Sequence, residues 1–150
     1  MLSFFAENTT GNKSVKTKNF IGFENIKQFL SNRQTINNKI ILLINTLSTN
    51  EQNILIVGTI PYQQEEEILN KIIEQNECKK YILYIYGKNC LDDTVITKFH
   101  FLCELGFVVY VYIGGLFEWL MLQELYGVEE FPTSSTTNDI IKYRPLPRMI

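Results

Sequence analysis

Four short runs in this chain are apolar without alternation: Lys39-Ile40-Ile41-Leu42-Leu43-Ile44, Ile54-Leu55-Ile56-Val57, Tyr81-Ile82-Leu83-Tyr84-Ile85-Tyr86 and Phe107-Val108-Val109-Tyr110-Val111-Tyr112-Ile113. A strand with one wet face alternates apolar and polar residues, whereas a strand covered on both faces does not. The runs therefore predict four strands of a parallel sheet sandwiched by helices, with Lys39–Ile44 as a central strand. Helical periodicity falls between and around them. Phe23, Ile26, Phe29 and Leu30 make one apolar stripe, broken at Ser31-Asn32. Ile68, Leu69, Ile72 and Ile73 make a second, and Val95, Ile96, Phe99, Leu102 and Cys103 a third. A further helix is expected from about Leu116 to Tyr126, stopped by Gly127. The helix ends read consistently. Glu65-Glu66-Glu67 near one amino end and Lys79-Lys80 past the carboxyl end suit the helix dipole, Asp92 or Asp93 can cap the third helix, and Gly106 closes it. Strands alternating with helices imply right-handed crossovers and an α/β fold built on an open parallel sheet.

The chain has 150 residues, a length that fits one folded core. Its organisation reads as a polar N-terminal tail over 1–19, a folded domain over 20–127 and a C-terminal extension over 128–150. Prolines at 132, 145 and 147 and a Ser/Thr run make that extension irregular and surface-lying in expectation. Lys and Arg number 14 against 16 Asp and Glu, so no basic surplus is available for phosphates, and nucleic acid is not an expected partner. The longest apolar runs fall far short of the roughly 18 residues that a membrane span requires, so no membrane association is expected. Three cysteines, Cys78, Cys90 and Cys103, have no metal-type spacing, and no signal-like apolar stretch precedes the first helix. Reduced thiols in a cytoplasmic protein are the expectation.

In open α/β sheets, ligands bind beyond the carboxyl ends of the strands. That rule points to the loops after Ile44, after Tyr86 and at Gly114-Gly115. The middle loop, Gly87-Lys88-Asn89-Cys90-Leu91-Asp92, carries a cysteine. The other reactive residue types read as structural. Cys103 lies on an apolar stripe, where a thiol acts as a small hydrophobe, and Cys78 suggests no chemistry. His100, the sole histidine, follows Cys90 by ten residues, about 15 Å along a helix axis, so it reads as a surface or partly packed side chain. Trp119 reads as core packing against the glycine turn. Glu65-Glu66-Glu67 has no His or Cys nearby in sequence, and neither a metal nor a cofactor is expected.

The stretch Tyr81 to Trp119 resembles the later half of rhodanese-like domains, which runs strand, active-site loop, helix, Gly-Phe, strand, Gly-Gly and a downstream Trp. Leu105-Gly106-Phe107 and Gly114-Gly115-Leu116-Phe117-Glu118-Trp119 carry the resemblance. Upstream, Gly58-Thr59-Ile60-Pro61 is similar to the family's Gly-His-Ile-Pro turn, and Leu43-Ile44-Asn45-Thr46 to its Leu-Ile-Asp-Val strand end. The match spans about Phe20 to Tyr126, and Phe131-Pro132-Thr133 with Lys142-Tyr143-Arg144-Pro145 resembles an extension of one branch of the family.

The resemblance implies a sulfurtransferase, in which a loop cysteine takes sulfur from a donor as a persulfide and passes it to a thiophilic acceptor. Cys90 is then the nucleophile, Lys88 helps to hold the anionic donor, and backbone N–H groups from Gly87 through Asn89 to Leu91, ahead of Asp92, stabilise the anion. The partners would be a small sulfur-containing anion and a thiol acceptor. This chain departs from the family pattern. Tyr86 or Gly87 stands where the family's cysteine aligns, no Arg lies between Tyr81 and Arg144, Asn45 replaces the family's Asp, and Leu47 its Arg. Asp92 and Asp93 would repel an anion in the loop. The departures support a competing expectation: an inactive rhodanese-like module whose cleft and extension recognise a protein partner. A cysteine phosphatase of related loop architecture would need a guanidinium in the loop, and the loop has none.

Overall fold

The computed structural model describes residues 19–147, so the expected tail at 1–19 lies outside the described residues except for Asn19. Five strands form one sheet: β1 (Phe20–Ile21), β2 (Thr35–Ile36), β3 (Lys39–Asn45), β4 (Tyr81–Tyr86) and β5 (Val108–Tyr112). Their order is β1-β5-β4-β3-β2. All neighbours are parallel except β2 and β3, which form an antiparallel hairpin through Asn37 and Asn38, both with positive φ. Asn tolerates this left-handed conformation, which suits the tight turn.

Four helices flank the sheet: α1 (Phe23–Leu30), α2 (Tyr62–Glu74), α3 (Asp93–Glu104) and α4 (Gly115–Tyr126). The alternation of side chains along each strand sorts the core into two layers. Ile41, Leu43, Ile82, Tyr84, Tyr86 and Tyr112 pack with α1 and α4. Ile44, Leu83, Ile85, Val109 and Val111 pack with α2 and α3. Both faces of the central strands are thus dry, as their unbroken apolar sequences require.

Three expectations change. The central strand is β4, because β3 has only the two-residue β2 and an isolated bridge from Leu43 to Thr59 on its outer side. Ile54–Val57 is not a strand of the sheet. Ile54 and Ile56 are buried, but the backbone turns toward the C-terminal segment, where Ile56 bridges Thr133 and Ser134 N–H donates to Leu55 O at 2.8 Å. An apolar run specifies burial, and a loop crossing the core satisfies that as well as a strand does. The third change concerns residues 128–147. They are irregular apart from a 3-10 turn at Ile140–Tyr143, yet Phe131 and Tyr143 are buried in the aromatic core layer.

Candidate functional site

The loop after β4 starts at Gly87 and ends in Asp92, the N-cap of α3. Asp92 is fully engaged. Its Oδ1 accepts from Thr94 N–H at 3.0 Å and from the Thr94 hydroxyl at 2.6 Å, and its Oδ2 accepts from Lys88 N–H at 2.8 Å. A β-carbon at Gly87 would lie 2.5 Å from Asp92 Oδ2 and 2.8 Å from Thr46 Oγ1, and in contact with Val95 Cγ2. Only glycine fits there. Thr46 and Thr94 close the position further, with hydroxyl oxygens 2.9 Å apart.

Asn89 organises the rest of the loop. Its Oδ1 accepts from Leu91 N–H at 2.9 Å, while its Nδ2 donates to Tyr143 O at 2.9 Å and Arg144 O at 3.2 Å. From the other side, the first turn of α4 donates Leu116 N–H to Gly87 O and Phe117 N–H to Lys88 O, each at 2.9 Å. Gly115 has φ of +68°, and a β-carbon on it would come within 2.9 Å of the Asn89 backbone. The Gly-Gly turn therefore lets a helix start press directly onto the loop. The three loops chosen from strand ends do meet.

The predicted site residues divide. Gly87, Lys88, Asn89, Leu91 and Asp92 form one hydrogen-bonded unit, whereas Cys90 is exposed at its outer edge, beside a small cavity of about 140 Å³ that also touches Ile96 and Tyr112. Lys88 Nζ pairs with Glu51 Oε2 at 2.8 Å, which holds the Glu51 carboxyl below its ordinary range. Asn45, buried at the end of β3, accepts from Leu47 N–H at 2.9 Å and from Gln52 Nε2 at 2.8 Å. A neutral amide pair thus orders the loop after β3.

Thr46, Ser48, Glu51, Lys88, Leu91 and Arg144 line a cleft here of about 380 Å³, together with Asp92, Asp93, Lys142 and Leu146. Lys142 and Arg144 are the residues that local sequence could not assign to the site. Nothing about Lys142-Tyr143-Arg144 itself points toward a strand end; the Asn89 side chain draws it there. Cys103 and Cys78 have thiols pushed up by burial, and Cys78 Sγ–H donates to Leu105 O at 3.6 Å. His100 stacks edge-on against Phe99 in the second half of α3, and Trp119 is buried, donating Nε1–H to Pro132 O at 3.1 Å. Among the described residues, no group of three His, Cys, Asp or Glu side chains gathers as a metal site. No described helix is long and apolar enough to cross a membrane.

Known structures resemble this fold at low sequence identity. A full-length protein from Lactobacillus plantarum, solved as a structural-genomics target, superposes with a TM-score of 0.53 at 16% identity, covering 82% of this chain and 95% of that one. A second crystal structure of a protein from Lactobacillus plantarum gives 0.54 at 17% identity, covering 82% and 96%. No family model matches the chain, and no curated protein does. The fold and site define an α/β protein with an open, mostly parallel sheet flanked by helices and a cleft at the strand ends, an architecture consistent with the rhodanese-like fold.

Proposed function

We propose that this protein is a rhodanese-like binding module whose loop does not carry sulfur. The observation that supports this most strongly is the position of Asp92. A thiolate or persulfide in such a loop relies on backbone N–H donors. Here those of Lys88 and Thr94 already serve a fixed carboxylate, and a second anion beside it meets like-charge repulsion. Tyr86 or Gly87 stands at the place of the family's cysteine: neither brings a thiol, Tyr86 is buried, and a β-carbon at Gly87 would meet Asp92, Thr46 and Val95. What remains is a cleft lined by exposed Leu91 and Leu146 and by charges of both signs, Lys88, Lys142 and Arg144 against Glu51, Asp92 and Asp93. That lining suits a segment of a protein partner presenting apolar side chains beside charges of both signs.

A second reading rests on the exposure of Cys90. Its thiolate would attack the sulfane sulfur of thiosulfate, release sulfite, and hold the transferred sulfur as a persulfide for a thiol acceptor. One assay separates the two. The purified chain is incubated with thiosulfate and cyanide, thiocyanate is measured, and the loop peptide is weighed. The binding-module reading expects background thiocyanate, unchanged in Cys90→Ser, and no sulfur adduct. Thiocyanate formation that disappears in Cys90→Ser, with one added sulfur on the Cys90 peptide, overturns it.

A further inference from the structure

Helix α4 carries large apolar residues on its outer side as well as its inner one. Leu116, Trp119 and Leu120 face the core, yet Met121 is 40%, Leu125 71% and Tyr126 65% exposed, and Val128 just beyond the helix is 47% exposed. A helix of this kind belongs under cover, and a contiguous exposed apolar stripe marks a contact surface. Beside the stripe, α4 and α1 share a groove of about 480 Å³ lined by Phe23, Lys27, Leu122, Tyr126, Glu130 and Phe131. The groove is preformed. Phe131 is buried at its base, with the rings of Trp119, Phe23 and Tyr126 at centroid distances of 4.9, 5.6 and 6.0 Å.

Among the described residues, charge around this surface is mostly negative, with Lys27 as the one cation lining the groove. Helix α4 carries Glu118 and Glu124 and no Lys or Arg, and Glu129 and Glu130 follow it. Glu118 accepts from the Tyr112 hydroxyl at 2.6 Å. Lys27 is already engaged, 2.8 Å from Glu130 and 4.4 Å from the Phe131 ring centre. Exposed Glu124 and Glu129 therefore set the charge of the rim. A second copy of the chain, in a symmetric contact, would bring two acid-rimmed patches together. A basic partner is complementary to them.

We propose that the α1–α4 groove and the outer stripe of α4 dock an amphipathic helix of a partner protein, with apolar anchors at helical spacing flanked by Lys or Arg. The surface lies on the second half of α4, about 7 to 15 Å along its axis from Leu116, where the helix meets the loop after β4. The inference is thus independent of whether that loop has chemistry.

The test titrates the full chain against a fluorescein-labelled, 18-residue helical peptide of Leu and Lys, read by anisotropy. Saturable binding is expected, weakened at least ten-fold by Leu125→Lys and, separately, by the double change Glu124→Lys with Glu129→Lys. The substituted side chains are exposed, so circular dichroism of the variants should match the parent. Equal binding of a Leu/Glu peptide, no saturable binding, or an affinity unchanged in Leu125→Lys overturns the proposal. So does a dimer in sedimentation that Leu125→Lys dissolves, which assigns the surface to a second copy.

Discussion

The two faces of the sheet are built from different chemistry. Beneath α2 and α3, the strand residues Ile44, Leu83, Ile85, Val109 and Val111 are aliphatic and contribute area alone. Beneath α1 and α4, the same strands present Tyr84, Tyr86 and Tyr112, joined by Trp119, Phe131 and Tyr143. Two of these rings, Tyr86 and Trp119, also use a polar atom to tie down backbone outside their own elements. Tyr86 Oη accepts from Ile56 N–H at 3.1 Å and lies 2.7 Å from Thr59 Oγ1. Trp119 Nε1–H reaches Pro132 O. The aliphatic face packs helices, whereas the aromatic face also anchors the irregular segments 54–59 and 131–143. Irregular backbone inside a domain must find hydrogen-bond partners, and tyrosine and tryptophan offer them while filling volume.

Breaking the aromatic anchor should have the largest effect. Trp119→Ala removes the ring between Tyr112 and Phe131 and the bond to Pro132, and should lower stability by about 3–5 kcal/mol in denaturant titrations. A loss near 1 kcal/mol would mean that the segment after α4 is held by other contacts.

Tyr86→Phe keeps the ring but leaves Ile56 N–H buried without its acceptor, at a cost of about 1–3 kcal/mol. The same variant sharpens the contrast between the faces through pH. Burial pushes the Tyr86 and Tyr112 hydroxyls well above their ordinary range, and raises Tyr84 as well. A raised folded-state pKa means that the unfolded chain releases its proton first. The contribution is fully present below a tyrosine's usual value of about 10 and is lost as pH rises beyond it. Stability should fall above pH ~10 by up to about 1.4 kcal/mol per pH unit per tyrosine, and Tyr86→Phe should flatten that slope. An unchanged slope would contradict the burial of this hydroxyl as the cause.

The smallest effect belongs to the loop. Asp92→Ala removes the N-cap of α3 and the acceptor of Lys88 N–H, and should cost about 1 kcal/mol. It should produce no thiosulfate:cyanide sulfur transfer, because Gly87 supplies no thiol where the cradle opens. Appearance of that activity would show that Asp92 alone suppresses chemistry at Cys90.

Element type was legible wherever it depended on local period. The stripes Phe23 to Leu30 and Val95 to Leu102 and the unbroken runs 39–44 and 81–86 became helices and strands, and Asp92 became the cap it resembles. Ile54–Val57 misled because burial does not distinguish a strand from a buried loop: its backbone pairs with Thr133 and Ser134, 77 and 79 residues away. The loop after β4 lies at the strand ends beside the other two loops, as the order of elements implies, but its hydrogen bonding was not legible. Asp92 reads equally well as a helix cap and as a charge lining an open cradle, and only the position of Lys88 N–H decides that it closes the cradle.

By itself, the order of side chains determined which segments are helical or extended, which faces are dry, and where strand ends would gather loops, because period and polarity act over a few covalent neighbours. Tertiary structure decided which oxygen meets which amide at Gly87, that Asn89 draws Tyr143 and Arg144 to the cleft, and that no described residue covers the outer side of α4. Such contacts join residues dozens of positions apart, and their geometry exists only once the sheet and its two helical layers have packed.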